Sequence, residues 1–251
     1  MLFRSNLTEL APADQGAMET RIREQIAARL ESDWADLLLV AAAGNESTEM
    51  TSSGQSIPAS LGAQNILSVG ALDDRDTLSG YSNTGKYVDI YIRGTDIRSA
   101  VPQPADETAG ADDLATTREA LTGTSMAAPL VSHLAAEIRL LAPALTAIEV
   151  RALILNTGDL KVVHVSQEVR SKRRGTVTSL SPRAPLAELR VVNMARARKI
   201  AALIANTTGE DAARLRAKYL VAPYRHGEAP TFEEQAMAAE CAAALLPPTG
   251  T

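Results

Sequence analysis

The chain has 251 residues, 45% of them apolar and 22% charged, enough for one sizeable core or one core with a tail. A net charge of −5 and only 3% aromatic residues argue against a general nucleic-acid surface and against base-stacking platforms. No run approaches the roughly eighteen apolar residues of a membrane span. The single Cys241 excludes an internal disulfide, and residues 1–10 carry Arg4 but no apolar signal core.

In chain order, residues 1–12 read as irregular. Met18 to Leu30 places Ile22, Ile26 and Leu30 on one face, with Arg21, Arg23, Glu24 and Arg29 elsewhere, which predicts an amphipathic helix. Leu37 to Ala42 is a buried strand running into Gly44-Asn45. A helix followed by a fully apolar strand is the grammar of an α/β fold. Glu46 to Gln55 is a polar loop. Asn65–Ala71 and Tyr87–Ile92 are the next two strands. Between them, Gly80 to Tyr87 matches G-x-x-x-x-G-K but puts Tyr87 where a phosphate loop needs Ser or Thr. A polar turn precedes it and a strand follows, so it reads as a simple turn.

Gln103 to Glu119 is an acidic surface loop with Asp106, Glu107, Asp112 and Asp113 but no EF-hand spacing. Gly123-Thr124-Ser125-Met126-Ala127-Ala128-Pro129 then opens a helix that runs to about Leu141. Proline is tolerated near a helix start, so Ser125 belongs at or just before the N-terminus. Unpaired N–H groups and the positive end of the helix dipole gather there. Ser125 is thus either an N-cap or a nucleophile beside oxyanion donors. Ala127 and Ala128 add little bulk and let another segment lie close. After Pro143, Thr146 and Glu149 form a capping-box signature for a helix to Leu155. Lys161 to Lys199 carries ten Lys or Arg against Glu168 and Glu188, a net +8 that leaves −13 on the remainder. The stretch from about 161 to 189 reads as a solvated basic insertion. Residues 206–251 read as a helical tail, with helices at Asp211–Tyr219 and Thr231–Leu246.

The Ala41-Ala42-Ala43-Gly44-Asn45 strand end, followed in order by Gly123–Pro129, resembles the subtilisin-like serine proteases, or subtilases. The stretch between them, Ile57 to Tyr91, is similar to the family's strand, polar Ser-Asn turn and strand. The resemblance covers about Ala35 to Asn156 and, more weakly, Arg190 to Ala197. It implies a three-layer α/β fold with a parallel sheet, incomplete at its N-terminal side, in a partial catalytic domain of residues 1–205. It implies Ser125 as nucleophile and Asn45 as side-chain oxyanion donor. It places Ala42, Ala43, Gly44, Ser56 and Thr124 against a polypeptide substrate, with an apolar side chain favoured in the pocket. Asn6-Leu7-Thr8 faintly resembles the strand end that walls the family's substrate cleft. Calcium enters by resemblance only, and no other cofactor or metal is indicated.

The chemistry has a gap. A serine hydroxyl needs a general base, usually a His oriented by Asp. The subtilase order is Asp, His, Ser, whereas His133, His164 and His226 all follow Ser125, and the Asp-Thr/Ser-Gly and His-Gly-Thr motifs are missing. His133 lies eight residues along the same helix, roughly 12 Å away by helical rise. Sedolisins share Gly-Thr-Ser but have an Asp at the oxyanion position, and no Lys lies between Lys86 and Lys161 for a Ser–Lys dyad. The expectation is therefore the C-terminal half of a subtilase domain. It would be a fragment of a protease, a peptide-binding pseudoprotease, or one half of a two-chain enzyme whose partner supplies Asp and His. The compartment follows only if Met1 is the true start, which would make it cytoplasmic.

Overall fold

A computed structural model describes residues 12–51, 56–102, 116–164, 167–171, 175–179 and 186–221. Helix α1 (Pro12–Glu31) leads into strand β1 (Leu39–Ala42), and a short 3-10 turn at Ala59–Leu61 precedes β2 (Ile66–Leu72). β3 (Ile90–Arg93) is followed by a ribbon of β4 (Ile97–Pro102) and β5 (Thr116–Leu121), then by helices α2 (Thr124–Leu141) and α3 (Ala147–Asn156). β6 (Asp159–His164), the hairpin β7 (Gln167–Ser171) and β8 (Gly175–Ser179), β9 (Leu186–Val191), α4 (Met194–Asn206) and α5 (Gly209–Tyr219) complete the order.

The central sheet runs β1-β2-β3-β9-β6. The first four strands are parallel, and β6 lies antiparallel on β9. Parallel strands are buried on both faces, and the side-chain period of two explains how. On β2, Leu67, Val69 and Ala71 enter one core with Val131, Leu134 and Ile138 of α2, Leu153 of α3 and Ile200 of α4. Ile66 and Leu72 enter the opposite core with Leu30 of α1. The result is three layers: α1, the sheet, and the α2–α5 group. Among the described residues β1 is an edge strand, as the reading of a sheet incomplete at its N-terminal side requires.

One buried charge pair locks the layers. Arg151 of α3 donates to an Asp89 oxygen at 2.8 Å and to the Ile66 carbonyl at 2.6 Å, while the Ser68 N–H donates to the other Asp89 oxygen. Both side chains are essentially inaccessible, 2% and 0% exposed. The capping box at the start of α3 is present, with Thr146 and Glu149 satisfying each other's backbone N–H. It orients the helix that carries Arg151.

Three expectations change. Residues 159–164 and 186–191 are strands of the central sheet, so the basic stretch is not one insertion; the hairpin Gln167–Ser179 alone forms a separate two-stranded sheet. On β6 only Val163 is buried between exposed Val162 and His164, an alternation masked by the surrounding charges. Pro129 lies inside α2 rather than among its first positions, because the helix already begins at Thr124. It removes the N–H that would bond the Ser125 carbonyl. The expected tail boundary falls at the end of α4, yet α5 belongs to the same core. Tyr219 and Leu220 are buried in it, and Asn156 donates to the Tyr219 and Val221 carbonyls. Thr231–Leu246 lies outside the described residues. So do Asp106, Glu107, Asp112 and Asp113 of the acidic stretch.

Candidate active site

Four segments converge at the C-terminal ends of β1, β2 and β3. β1 runs straight into Gly44-Asn45. The Gly123 N–H donates to the Gly94 carbonyl just beyond β3, and Gly94 N–H donates to Leu72 at the end of β2. The approach is close: a Cβ on Gly94 would lie 2.8 Å from the Gly123 carbonyl oxygen and 3.2 Å from the Ala127 Cβ. Ala127 is fully buried, so its small side chain does let the end of β3 pack against the start of α2.

Ser125 is the second residue of α2 and is exposed. Among the described residues its hydroxyl has no hydrogen-bond partner. Its backbone N–H is one of the first four of the helix, which lack an intrahelical acceptor. Gly123 caps the helix at φ +152°, and a Cβ there would sit 3.4 Å from the Asn45 side-chain nitrogen. Glycine relieves both constraints.

Asn45 faces this turn from the end of β1. Its Oδ1 accepts from the Thr124 N–H and from the Thr124 hydroxyl, each at 2.9 Å. With Oδ1 committed, the Asn45 Nδ2 is the remaining donor of the amide. The Thr124 hydroxyl in turn accepts the Gly44 N–H at 3.2 Å. The arrangement gives two N–H donors, Asn45 Nδ2 and Ser125 N, beside one exposed hydroxyl, which is the equipment needed to hold a developing oxyanion.

The other expected site residues divide. Gly44 and Ser56 come together, since a Cβ on Gly44 would lie 3.1 Å from the Ser56 hydroxyl. Ala42 is half-buried on the α2 side of β1. Ala43 and Thr124 do not line a cleft with their side chains. Ala43 is fully buried in the α1-side core because strand alternation turns it away from Ala42, and Thr124 is fully buried because it is spent on Asn45 and Gly44.

Asn83 was not singled out by the sequence, although it lies in the Ser-Asn turn that was. It is 2% exposed and anchors the loop after β1. Its Oδ1 accepts from Glu46 N–H, Thr48 N–H and the Thr48 hydroxyl, and its Nδ2 donates to the Ala43 carbonyl at 3.0 Å and the Glu46 carboxylate at 2.7 Å. Its backbone N–H also donates to the Gly44 carbonyl, so Asn83 and Thr124 both hold Gly44. The local signal was only a polar pair in a turn.

Of the histidines, His133 points along the exposed flank of α2, with Nε2 3.5 Å from Glu137. His164 ends β6, where its carbonyl accepts from Leu78 N–H. His226 lies outside the described residues. Among the described residues no group of three or more His, Cys, Asp or Glu side chains converges to hold a metal ion, and no helix is long and apolar enough to cross a membrane.

Residues 10–180, more than half of the chain, match the profile of the Subtilase family. The chain belongs to the subtilase family. Among curated relatives of this subtilase, Proteinase T of Parengyodontium album is 41% identical over 102 residues, 41% of this chain and 29% of that protein. A thermophilic serine proteinase of Bacillus sp. (strain AK1) is 37% identical over 123 residues, 49% of this chain and 25% of that protein. Among solved structures, a cold-adapted subtilisin-like serine proteinase matches at 24% identity and TM-score 0.40, over 60% of this chain and 42% of that one. A protease of Pseudoalteromonas arctica matches at 21% identity and TM-score 0.45, over 65% and 42%. This subtilase thus spans less than a third of the curated relatives it matches and under half of those two structures.

Proposed function

We propose that this chain supplies the nucleophile and oxyanion side of a serine endopeptidase acting on polypeptides, and that the general base comes from polypeptide outside these 251 residues. Ser125 Oγ would attack the scissile carbonyl. Asn45 Nδ2 and Ser125 N–H would stabilise the negative charge that develops on the carbonyl oxygen. The observation that carries the reading is the double engagement of Asn45 Oδ1 by Thr124, which commits the amide to present its nitrogen. The half-buried Ala42 and the Gly44–Ser56 approach would form part of the adjoining side-chain pocket.

The base is the missing component. His133 has its Nε2 3.5 Å from Glu137 and sits two turns away on Ser125's own helix. Without a base the hydroxyl stays protonated and weakly nucleophilic. A serine site stripped of one triad member retains about 10³–10⁴-fold catalysis over water through oxyanion stabilisation and binding alone. The partner this implies is a polypeptide bearing Asp-Thr/Ser-Gly and His-Gly-Thr.

A fluorophosphonate probe tests the reading. The isolated chain should label slowly, and labelling should accelerate when a polypeptide with the Asp and His motifs is added. Rapid, stoichiometric labelling of the isolated chain that disappears in Ser125→Ala would show that the base lies within it.

A further inference from the structure

Asn45 hangs from the chain between two peptide groups, and one residue holds both. The Asn83 backbone N–H donates to the Gly44 carbonyl at 3.0 Å, on the peptide that enters Asn45. Asn83 Oδ1 accepts from the Glu46 N–H at 3.1 Å, on the peptide that leaves it. A third contact, from Asn83 Nδ2 to the Ala43 carbonyl at 3.0 Å, fixes the residue before Gly44. The approach is close enough to constrain the sequence. A Cβ on Gly44 would lie 2.5 Å from Asn83 Nδ2, and Gly44 sits at φ +106°.

Beyond Asn45 the same turn keeps its hold. The N–H groups of Glu46, Ser47 and Thr48, consecutive in the chain, all donate into Tyr81–Asn83. Glu46 and Thr48 reach Asn83 Oδ1, and Ser47 reaches the Tyr81 carbonyl at 3.0 Å. Ser47 adopts φ +57°, a left-handed conformation that a residue with a side chain rarely takes. Its hydroxyl donates to the Gly80 carbonyl at 2.6 Å, which ties this bend to the turn as well. The turn is in its own right fastened to the sheet. The Ala71 N–H at the end of β2 donates to the Ser82 hydroxyl at 3.0 Å, and the Ser79 N–H donates to the Ala71 carbonyl at 3.1 Å. Ser82 and Asn83 are both buried. A chain of bonds thus runs from β2 through Ser82 and Asn83 to the backbone on either side of Asn45.

We propose that Asn83 is a positioning residue for the oxyanion donor: it fixes where the Asn45 backbone sits, while Thr124 fixes which way the Asn45 amide faces. This inference rests on the oxyanion role proposed above for Asn45. The chemistry asks for both constraints. A donor has to lie about 2.7–3.1 Å from the place where the oxygen charge develops. A displacement of about 1 Å costs on the order of 10²-fold in rate. The two bonds from Thr124 to Oδ1 orient the amide but leave Nδ2 dependent on the Cα that carries it. The other donor, the Ser125 N–H, belongs to α2, whose entry at Gly123 is bonded to Gly94. The influence of Asn83 on the reaction therefore passes through Asn45.

A double-variant cycle on the purified 251-residue chain tests it, read as the rate at which a fluorophosphonate labels Ser125, with each variant first shown by a urea melt to be folded. Asn83→Ala should slow labelling about tenfold or more. In an Asn45→Ala background the same change should slow it less than about twofold, because the donor that Asn83 places is gone. Thr146→Ala, which removes the cap of α3 away from the site, should lower stability and leave the rate unchanged. Should Asn83→Ala not fold, Asn83→Ser keeps the backbone N–H to Gly44 but cannot span Ala43, Glu46 and Thr48, and the same cycle applies. Equal slowing in both backgrounds would make Asn83 a structural residue only and overturn the proposal. An unchanged rate in the Asn83 variants, with Asn45→Ala slow, would overturn it while leaving the oxyanion role in place. An Asn45→Ala chain that labels at the parental rate would remove the oxyanion role itself, and this inference with it.

Discussion

Thr124 grips the side-chain oxygen of Asn45 with both its backbone N–H and its hydroxyl, each at 2.9 Å, across 79 residues of sequence. The hydroxyl also receives the Gly44 N–H, so one buried side chain holds the start of α2 and the end of β1 in a single register.

Thr124→Val keeps the shape and deletes the hydroxyl. The Gly44 N–H then loses its acceptor, and Asn45 Oδ1 keeps one donor. The expected loss is about 1–3 kcal/mol of unfolding free energy in urea. Thr124→Ser should retain most of the stability. Equal stability of Thr124→Val and the parent would mean the hydroxyl bonds contribute nothing net.

Asp89→Asn should be among the most damaging single changes in the sheet. It removes the charge that neutralises Arg151, leaving a guanidinium 2% exposed. Breaking a buried pair from one side costs about 3–5 kcal/mol. The double variant Asp89→Asn, Arg151→Met should lose less than the sum of the singles, because no unpaired charge stays inside. Strict additivity in denaturant titrations would rule out this coupling.

Gly70 is an interior strand glycine with a steric reason. A Cβ there would come within 2.3 Å of the Tyr91 ring on β3. Gly70→Ala should cost about 1–3 kcal/mol through overpacking. Adding Tyr91→Val should recover part of that loss, a negative coupling visible in a thermal-melt cycle.

Asn83→Asp is an isosteric test of the loop anchor. The introduced carboxyl would meet the Ala43 carbonyl and the Glu46 carboxylate where Nδ2 now donates at 3.0 and 2.7 Å. Burial and like charge hold such a carboxyl protonated, raising its folded pKa above the unfolded value. A group raised on folding is stable below its unfolded pKa and loses that stability as pH rises. The deficit relative to the parent should therefore be small near pH 4 and grow to at least about 1–3 kcal/mol at neutral pH. A pH-independent deficit would contradict the assigned amide orientation.

The turns that carry Ser125 and Asn45 were legible in the chain because each is encoded locally. Ser125 sits in a small-residue run ahead of an apolar helix, and Asn45 ends an apolar strand. Periodicity found α1 to α3 and β1 to β3, since each buries a face set by its own repeat. It missed β6 and β9, whose burial depends on partners far away in sequence and whose surroundings are charged. The family resemblance also put Ala43 and Thr124 against substrate, because a motif records which residues are near a site and not which way each one points. Strand alternation turned Ala43 into the opposite core, and two long-range hydrogen bonds turned Thr124 into a brace. Asn83 became an anchor only when its turn met the loop after β1. Hydrogen bonds between segments tens of residues apart have no local signature, so tertiary structure alone decided them.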